Sequence, residues 1–406
     1  MTRPVTGVLA TERGARAALT RVAEPGDPRV AALVAEHGPQ QTLALLLEGT
    51  APEHDVYRRR THGVDLAEMV AYAARRRMRV VVPGDDDWPI GLDELGSPPA
   101  CLWVVGPGEL GELRERGIAI VGARACTTYG IGVAAELSAG LAEHGYVVVS
   151  GAAYGIDRAA HEGALLVGGD TIAVLAGGVD RAYPPDNASL IGRIAQVGAV
   201  ISEVSPGGAP TRSRFLQRNR LIATMTTGTL VVEAGIRSGS LNTARSAGDH
   251  ARPVGAVPGP VTSRVSAGCH EIVRNGMAGL ITDLTDALDL FGRLGDDAAA
   301  PRMEPARPED GLPPQDRLVL GALPLRAPAT VEAISAHAGL AMRQTRASLG
   351  RLELVGLAAR FGVRWKQAIK PKAPTTDGGP ASPAPNGGRA AVVASHAADS
   401  EVVCDG

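Results

Sequence analysis

Short, mainly apolar runs alternate with longer helical stretches between Ile118 and Ile281. The runs read IAIVG, VVVSG, TIAVLAGG, AVISE, TLVVEA and RPVGAVPG. A strand that is apolar at every position is buried on both faces, and strands separated by helices run parallel. The pattern therefore predicts an α/β fold in which helices cover both faces of an extended, Rossmann-like parallel sheet.

The flanking sequence predicts additional regions around this sheet domain, which we place at residues 77–292. Residues 1–76 contain short amphipathic segments that end in glycine and predict an N-terminal helical, SAM-like domain. The proline-rich, charged residues 293–315 predict a linker, and residues 316–370 predict three helices and a hairpin, the pattern of a winged helix. The composition of residues 371–406 predicts a disordered tail.

The composition limits the ligands and compartments that fit this chain. Because the net charge over 406 residues is −2 at pH 7, affinity for a polyanion must come from a local patch. The four cysteines lack paired spacing, which argues against a metal site or disulfides and fits a reducing, cytoplasmic compartment. No segment reaches membrane-spanning length, so no membrane association is expected. Aromatic residues, at 3%, are too few to predict a row of base-stacking platforms.

Glycine-rich turns follow the first two apolar runs. In a parallel sheet such turns lie at the carboxyl edge, beside helix N-termini, where ligands bind. After the first run, Gly122, Arg124 and Thr127 offer backbone N–H groups, a cation and a hydroxyl to a phosphate, although a tight turn with a threonine cap is the simpler interpretation. The embedded segment GIGVAA lies too far past the strand for a dinucleotide fingerprint, and no cofactor is predicted.

The second turn repeats this arrangement. It contains Ser150, Gly151 and Gly155, and Asp157 is predicted to be the N-cap of the following helix. Two glycine turns at neighbouring strand ends favour an anion site more strongly than one turn does.

Polar clusters flank the apolar run TLVVEA. Between Arg212 and Arg252 there are seven arginines and two acids, a strip that predicts binding to the phosphates of a nucleic-acid backbone. The cluster before the run and the cluster after it consist of Arg218, Asn219, Arg220, Ser238, Gly239 and Ser240. Glu233 lies near the end of the run, directly after Val232, and is expected to fix an arginine or a helix N-terminus.

Two other functions fit parts of the chain. The stretch TTGTLVVEAG is similar to the GGxGTxxE pattern of lysine-decarboxylase-like nucleotide-binding proteins, so an enzyme that acts on nucleoside monophosphates through Glu233 is one alternative. A winged-helix regulator with a sensory α/β domain is the other. Arg343, Arg346 and Arg351 on the expected recognition helix suit duplex DNA, although such modules also bind proteins.

Taken in order, the motifs resemble the DNA-processing protein A (DprA/Smf) family. The matching blocks are GARACTTYG, SGAAYGID, GGVDRAYPPDN, SEVSPGGAPTRSRFLQRNRLIA, VVEAGIRSGSLNTA, AVPGP and SAGCHEIVRNGM. The resemblance implies a non-enzymatic protein that binds single-stranded DNA, loads the RecA recombinase during natural transformation and forms a homodimer.

The resemblance also implies roles for the turn residues. Arg124 would hold the DNA backbone, residues 218–220 would form the signature polar cluster, and residues 238–240 would form a second phosphate-binding turn. The chain departs from the family pattern at Ala123, where serine is usual, and at Leu216, where proline is usual. Pro185 and Asp186 stand where some members have lysine.

Overall fold

The structure is a computed structural model that describes residues 7–49, 54–292 and 311–368. It divides into two compact units, Met1–Ala300 and Pro301–Gly406. Most of the predicted linker and the whole predicted tail lie outside the described residues. Within the described ranges, no helix is long and apolar enough to cross a membrane.

The first unit contains a nine-stranded sheet. Its strands are β1 (Arg79–Val81), β2 (Leu102–Val105), β3 (Gly117–Gly122), β4 (Val147–Ser150), β5 (Thr171–Val174), β6 (Ala199–Ser202), β7 (Gly228–Val232), β8 (Val254–Ala256) and β9 (Gly279–Leu280). The strand order is β1-β2-β6-β5-β4-β3-β7-β8-β9. Strands β3 to β9 are parallel, whereas β2 is antiparallel to β6 and β1 is antiparallel to β2. The predicted parallel sheet is thus confirmed, with two antiparallel strands added at one side.

Helices cover this sheet. They are α1 (Glu12–Val22), α2 (Pro28–Glu48), α3 (His54–Thr61), α4 (Leu66–Arg75), α5 (Leu113–Arg116), α6 (Thr128–Glu143), α7 (Ile156–Leu166), α8 (Ala188–Val197), α9 (Arg212–Thr224), α10 (Ser240–Asp249), α11 (Ala267–Arg274) and α12 (Leu284–Phe291). Three 3-10 helices span Gly7–Ala10, Ile90–Glu94 and Pro185–Asn187.

Strand β3 shows why helices lie on both faces. Because side chains alternate along a strand, Ala119 and Val121 point into one hydrophobic cluster, and Ile118 and Ile120 point into another. Helices α9, α10 and α11 contribute to the first cluster, and α6, α7 and α12 contribute to the second. Both faces of the central strands are therefore buried.

The N-terminal helices pack on the sheet. Ala17 of α1 shares a buried cluster with Trp103 of β2, and the Trp103 indole Nε1 donates a hydrogen bond of 3.1 Å to Thr20 Oγ1. Helix α2 bends at Gly38, whose φ of 76° lies in the left-handed region and precedes Pro39. These helices belong to the same compact unit as the sheet, and the boundary at residue 76 stays a prediction.

The second unit contains the predicted three helices and hairpin. Its elements are α13 (Pro314–Ala322), β10 (Ala329–Thr330), α14 (Val331–Ala338), α15 (Met342–Leu354), β11 (Ala358–Phe361) and β12 (Arg364–Gln367). The strands pair antiparallel in the order β10-β12-β11. They enclose a core around Leu349, Leu352 and Trp365. The winged-helix assignment stays a prediction.

Arg351 of α15, one of the arginines expected to suit duplex DNA, is paired with a carboxylate of the same unit. Its Nε lies 2.8 Å from Asp316 Oδ2 and its Nη2 lies 2.6 Å from Asp316 Oδ1. The Asp316 side chain is only 1% exposed and that of Arg351 is 49% exposed, so an exposed arginine neutralises a buried carboxylate. Arg343 and Arg346 on the same helix are exposed.

Candidate nucleic-acid interface

A cleft of about 700 Å³ opens at the carboxyl edge of the sheet. Its walls come from the segments that follow β3, β4, β5 and β7, from one side of α9 and from the start of α10. Of the residues predicted from the sequence, eight line the cleft: Gly122, Arg124, Asp157, Arg218, Asn219, Ser238, Gly239 and Ser240. The cleft therefore joins segments that lie more than a hundred residues apart in the chain.

Arg218 supplies a fixed cation at the floor of the cleft. The side chain is buried, its Nε donates a hydrogen bond of 3.1 Å to Asn219 Oδ1, and its Nη1 donates one to the carbonyl of Val174. Burial lowers the pKa of Arg218 to about 10, although the nearby Asp157 carboxylate raises it. Arg218 is consequently charged at neutral pH.

Asp157 orients the turn that follows β4. Its Oδ2 accepts a hydrogen bond of 3.2 Å from the Gly151 backbone N–H. Burial raises the pKa of Asp157, and the charge of Arg218 counteracts this rise. The prediction that Asp157 is the N-cap was wrong, because Gly155 occupies that position with a φ of 78°.

Two glycines in this turn allow close packing. A Cβ at Gly151 would lie 2.0 Å from Arg218 Nη1, and a Cβ at Gly155 would lie 2.3 Å from the carbonyl oxygen of Ala123. Neither glycine is among the residues that line the cleft. They act by letting the backbone approach the Arg218 guanidinium and the loop after β3.

Arg124 stands exposed at the rim of the cleft. Its Cζ lies 4.7 Å from the ring centroid of Phe215, and the Phe215 ring lies 5.7 Å from that of Tyr183 at an angle of 55°. Among the described residues Arg124 has no ion-pair partner. The site therefore offers a cation and aromatic rings side by side.

The sequence analysis did not single out Phe215 or Tyr183 as functional residues. The helical spacing of α9 indicates that Phe215 belongs to the cleft, because it precedes Arg218 by three positions and Asn219 by four. Residues at such separations share one face of a helix. All three line the cleft.

The Ser-Gly-Ser turn is held by Asn219 and by its own hydroxyls. Asn219 Nδ2 donates a hydrogen bond of 3.2 Å to the carbonyl of Gly239, the residue at the N-cap of α10. Ser238 Oγ and Ser240 Oγ lie 2.7 Å apart. The turn is thus positioned before any ligand arrives.

Glu233 binds a helix N-terminus, one of the two partners that the sequence left open. Its Oε2 accepts a hydrogen bond of 2.8 Å from the Thr127 backbone N–H, and its Oε1 accepts one of 2.5 Å from the Thr127 hydroxyl. Thr127 is the N-cap of α6. Both residues support the loop after β3, and neither lines the cleft.

Ser150 and Arg220 are not among the residues that line the cleft. The buried Ser150 hydroxyl donates a hydrogen bond of 2.6 Å to the carbonyl of Ile120. The Arg220 Nη2 lies 2.7 Å and 2.6 Å from the two oxygens of Glu203, and its Nη1 donates to the carbonyl of Ser97. Because residues two positions apart on a helix point about 200° apart, Arg218 and Arg220 face different surroundings.

The arginine strip expected between Arg212 and Arg252 is interrupted. Besides Arg220, Arg214 pairs with Glu24 at 2.9 Å and Arg252 pairs with Glu94 at 2.8 Å. Arg212 and Arg237 are exposed and do line the cleft. Tertiary ion pairs therefore engage three of the seven arginines of the strip, and its availability to a polyanion stays a prediction.

Among the described residues, no group of three or more histidine, cysteine or acidic side chains is arranged to hold a metal ion. Among the residues that line the cleft, Asp157 is the one that has a carboxylate side chain.

The parallel sheet, with a cleft lined by arginines at its carboxyl edge, defines a Rossmann-like protein. The sequence profile of the DNA recombination-mediator protein A family matches residues 79–292, and the chain belongs to this family. Its place in the family gives it a role in DNA processing as a recombination mediator. The resemblance predicted from the sequence motifs is therefore confirmed.

Individual relatives agree with this assignment. A putative DNA processing protein DprA from Mycobacterium tuberculosis is 42% identical over 363 residues, which cover 86% of this chain and 92% of the relative. The DNA processing protein DprA from Streptococcus pneumoniae is 41% identical over 207 residues, 51% of this chain and 72% of that protein. The X-ray structure of the Streptococcus pneumoniae protein superimposes with a TM-score of 0.60 at 32% identity and covers 69% of this chain and 98% of that chain.

Proposed function

We propose that the cleft binds the backbone of single-stranded DNA and that the protein passes the bound strand to a RecA-type recombinase. The observation that carries the proposal is the exposed guanidinium of Arg124 above Phe215, next to the buried cation of Arg218. The recombinase partner and a homodimeric form rest on the family resemblance.

The chemistry of the cleft favours a single strand over a duplex. Arg124, Arg212 and Arg237 are exposed cations for phosphates, while Phe215 and Tyr183 offer aromatic surface beside them. The bases of a single strand can turn onto aromatic rings or guanidinium planes, whereas paired bases stay stacked inside the duplex. A site that combines both features suits a strand with accessible bases.

In this proposal the cleft binds a strand and does not catalyse cleavage of its glycosidic bonds. General acid–base chemistry on a glycosidic bond requires two positioned carboxyl groups or an equivalent pair. Asp157 is held by the Gly151 N–H beside Arg218, and Glu233 is held by Thr127. Release of free base from nucleoside monophosphates incubated with the protein would contradict this part of the proposal.

A titration of labelled single-stranded and duplex DNA at several salt concentrations tests the proposal. A charge-assisted contact contributes about 1.5–3 kcal/mol, so Arg124→Ala should weaken single-strand binding about ten-fold or more. The slope of log affinity against log salt should flatten by about 0.7 for the one lost phosphate contact. Fluorescence anisotropy measures both quantities.

Arg193→Ala is the matched control, because Arg193 is an exposed arginine of α8, outside the cleft. It should bind both DNA forms as the unsubstituted protein does. Equal affinities of the two variants, or a preference for duplex over single-stranded DNA, would show that the cleft is not a single-strand site.

A further inference from the structure

The exposed tyrosines of this protein lie at one edge of the sheet. Tyr129, Tyr154 and Tyr183 are 46%, 41% and 43% exposed. They stand in the first turn of α6, on the loop after β4 and on the loop after β5, all at the carboxyl ends of parallel strands. The other three tyrosines are buried or half-buried. A chain with 3% aromatic residues thus concentrates its exposed tyrosines beside the cleft.

Exposed arginines follow the same edge. Arg181, Arg124, Arg237 and Arg264 lie on the loops after β5, β3, β7 and β8. These strands, with β4 between β5 and β3, are consecutive in the sheet. The loops after β7 and β8 are in contact, since a Cβ at Gly235 would lie 3.7 Å from the carbonyl oxygen of Arg264.

Two of the tyrosine rings are held in place by their hydroxyl groups. The Tyr129 hydroxyl donates a hydrogen bond of 2.7 Å to the carbonyl of Pro258, on the loop after β8. The Tyr154 hydroxyl donates one of 2.7 Å to Asp186 Oδ2. A ring anchored in this way loses little conformational freedom when a base stacks on it.

We propose that single-stranded DNA runs across the whole carboxyl edge, from the loop after β5 to the loop after β8. Phosphates contact the arginines of this edge, and bases stack on its tyrosines. This path of the strand along the carboxyl edge, which we call the track, rests on the proposed function and extends it beyond the cleft. Its additional residues are Arg181 and Tyr154 on one side and Tyr129 and Arg264 on the other.

The length of the track follows from the geometry of the sheet. Five parallel strands span four gaps of about 4.8 Å, or roughly 19 Å. Nucleotides stacked as in a duplex advance about 3.4 Å each along one strand, so the track holds roughly six nucleotides. Aromatic rings interleaved with cations form the usual platform for single strands bound without sequence preference.

Oligothymidylates of four and twelve nucleotides, (dT)4 and (dT)12, test the track. The double variant Tyr129→Ala/Arg264→Ala should bind (dT)12 about ten-fold or more weakly than the unsubstituted protein, because it loses one stacking surface and one phosphate contact. Its affinity for (dT)4 should change less than about two-fold, since the cleft is intact. Tyr154→Ala/Arg181→Ala should behave in the same way.

The conservative pair Tyr129→Phe/Arg264→Lys retains a ring and a charge and should keep (dT)12 affinity within about three-fold. Circular dichroism melting of every variant shows whether the fold is retained. If the alanine pair melts early, the single variant Arg264→Ala still tests the track: Arg264 is exposed, and its loss should weaken (dT)12 binding while (dT)4 binding is unchanged.

The outcomes separate the track from the proposed function. If both alanine pairs bind (dT)12 as the unsubstituted protein does while Arg124→Ala weakens (dT)4 binding, the track is wrong and the cleft remains. If the unsubstituted protein binds neither oligonucleotide, the proposed function itself fails. Selective loss of (dT)12 affinity in the alanine pairs supports the track.

Discussion

The methylene hydrogens of Gly151 leave just enough room for the guanidinium of Arg218. A Cβ at this position would lie 2.0 Å from Arg218 Nη1 and 2.4 Å from Cζ. A surface arginine would swing aside at little cost, but Arg218 is buried and hydrogen-bonded to Asn219 and to the carbonyl of Val174. The position of the charge at the floor of the cleft therefore depends on a residue that does not line the cleft.

We expect Gly151→Ala to lower the free energy of unfolding by about 1–3 kcal/mol, because it displaces a buried, hydrogen-bonded cation. Single-strand affinity should fall about ten-fold, since Arg218 can no longer hold its position. Urea denaturation and anisotropy titration measure the two effects. Gly192→Ala is the control, because nothing lies within 4 Å of a Cβ at Gly192 in α8. A variant at Gly151 as stable and as active as the control would refute this role.

At the scale of elements, helix α9 contacts both the cleft and the segment between α1 and α2. The side of the helix with Phe215, Arg218 and Asn219 lines the cleft. Arg220 forms an ion pair with Glu203, whose Oε1 also accepts a hydrogen bond of 3.3 Å from the Gly26 backbone N–H. The helix that carries Arg218 and Asn219 is thus fixed to the segment between α1 and α2.

We expect Glu203→Ala to destabilise the protein by about 3–5 kcal/mol, because it leaves Arg220 buried without its counter-charge. The side chains of Glu203 and Arg220 are 8% and 14% exposed. The matched control is Glu68→Ala, which breaks an ion pair with Arg75 whose side chains are about 60% exposed and should cost about 0–1 kcal/mol. Urea denaturation compares the two variants, and similar losses in both would mean that burial does not determine the contribution of the Glu203 pair.

At the scale of the whole molecule, a buried histidine ties stability to pH. His161 of α7 is fully buried, and its Nδ1 lies 2.7 Å from Thr171 Oγ1. The Thr171 hydroxyl itself donates to the carbonyl of Val148, so the His161 Nδ1–H is the donor to Thr171. Burial lowers the pKa of His161 to about 3 from an ordinary value of 6.5.

Between pH 6.5 and pH 3 the unfolded chain binds a proton at this residue and the folded chain does not. His161 therefore makes the free energy of unfolding fall as pH drops below about 6.5, by about 1.4 kcal/mol per pH unit. We expect the unsubstituted protein to lose about 2 kcal/mol more than His161→Leu between pH 6.5 and pH 5. Urea denaturation at both pH values measures the difference, and identical pH dependence in the two proteins would exclude a neutral buried His161.

Local pattern was sufficient for the fold and for the family. The apolar runs predicted the strands of the parallel sheet, and the loops that follow β3, β4 and β7 carry the predicted turn residues, because continuous apolarity and glycine turns are encoded by neighbours in the chain. The order of the motifs indicated the DNA recombination-mediator protein A family, which the profile match confirms.

Only the tertiary structure decided which charges are available to a ligand. Arg214 and Arg252 form ion pairs with carboxylates that lie 190 and 158 residues away in the sequence. Arg220 forms one with Glu203, in the loop that follows β6. No local pattern encodes such pairs, because whether an arginine is exposed or paired depends on what the fold brings within a few ångströms of it. The same reason explains why Arg124 and Phe215, 91 positions apart by their numbers, form one site: parallel strands end at a common edge whatever their order in the chain.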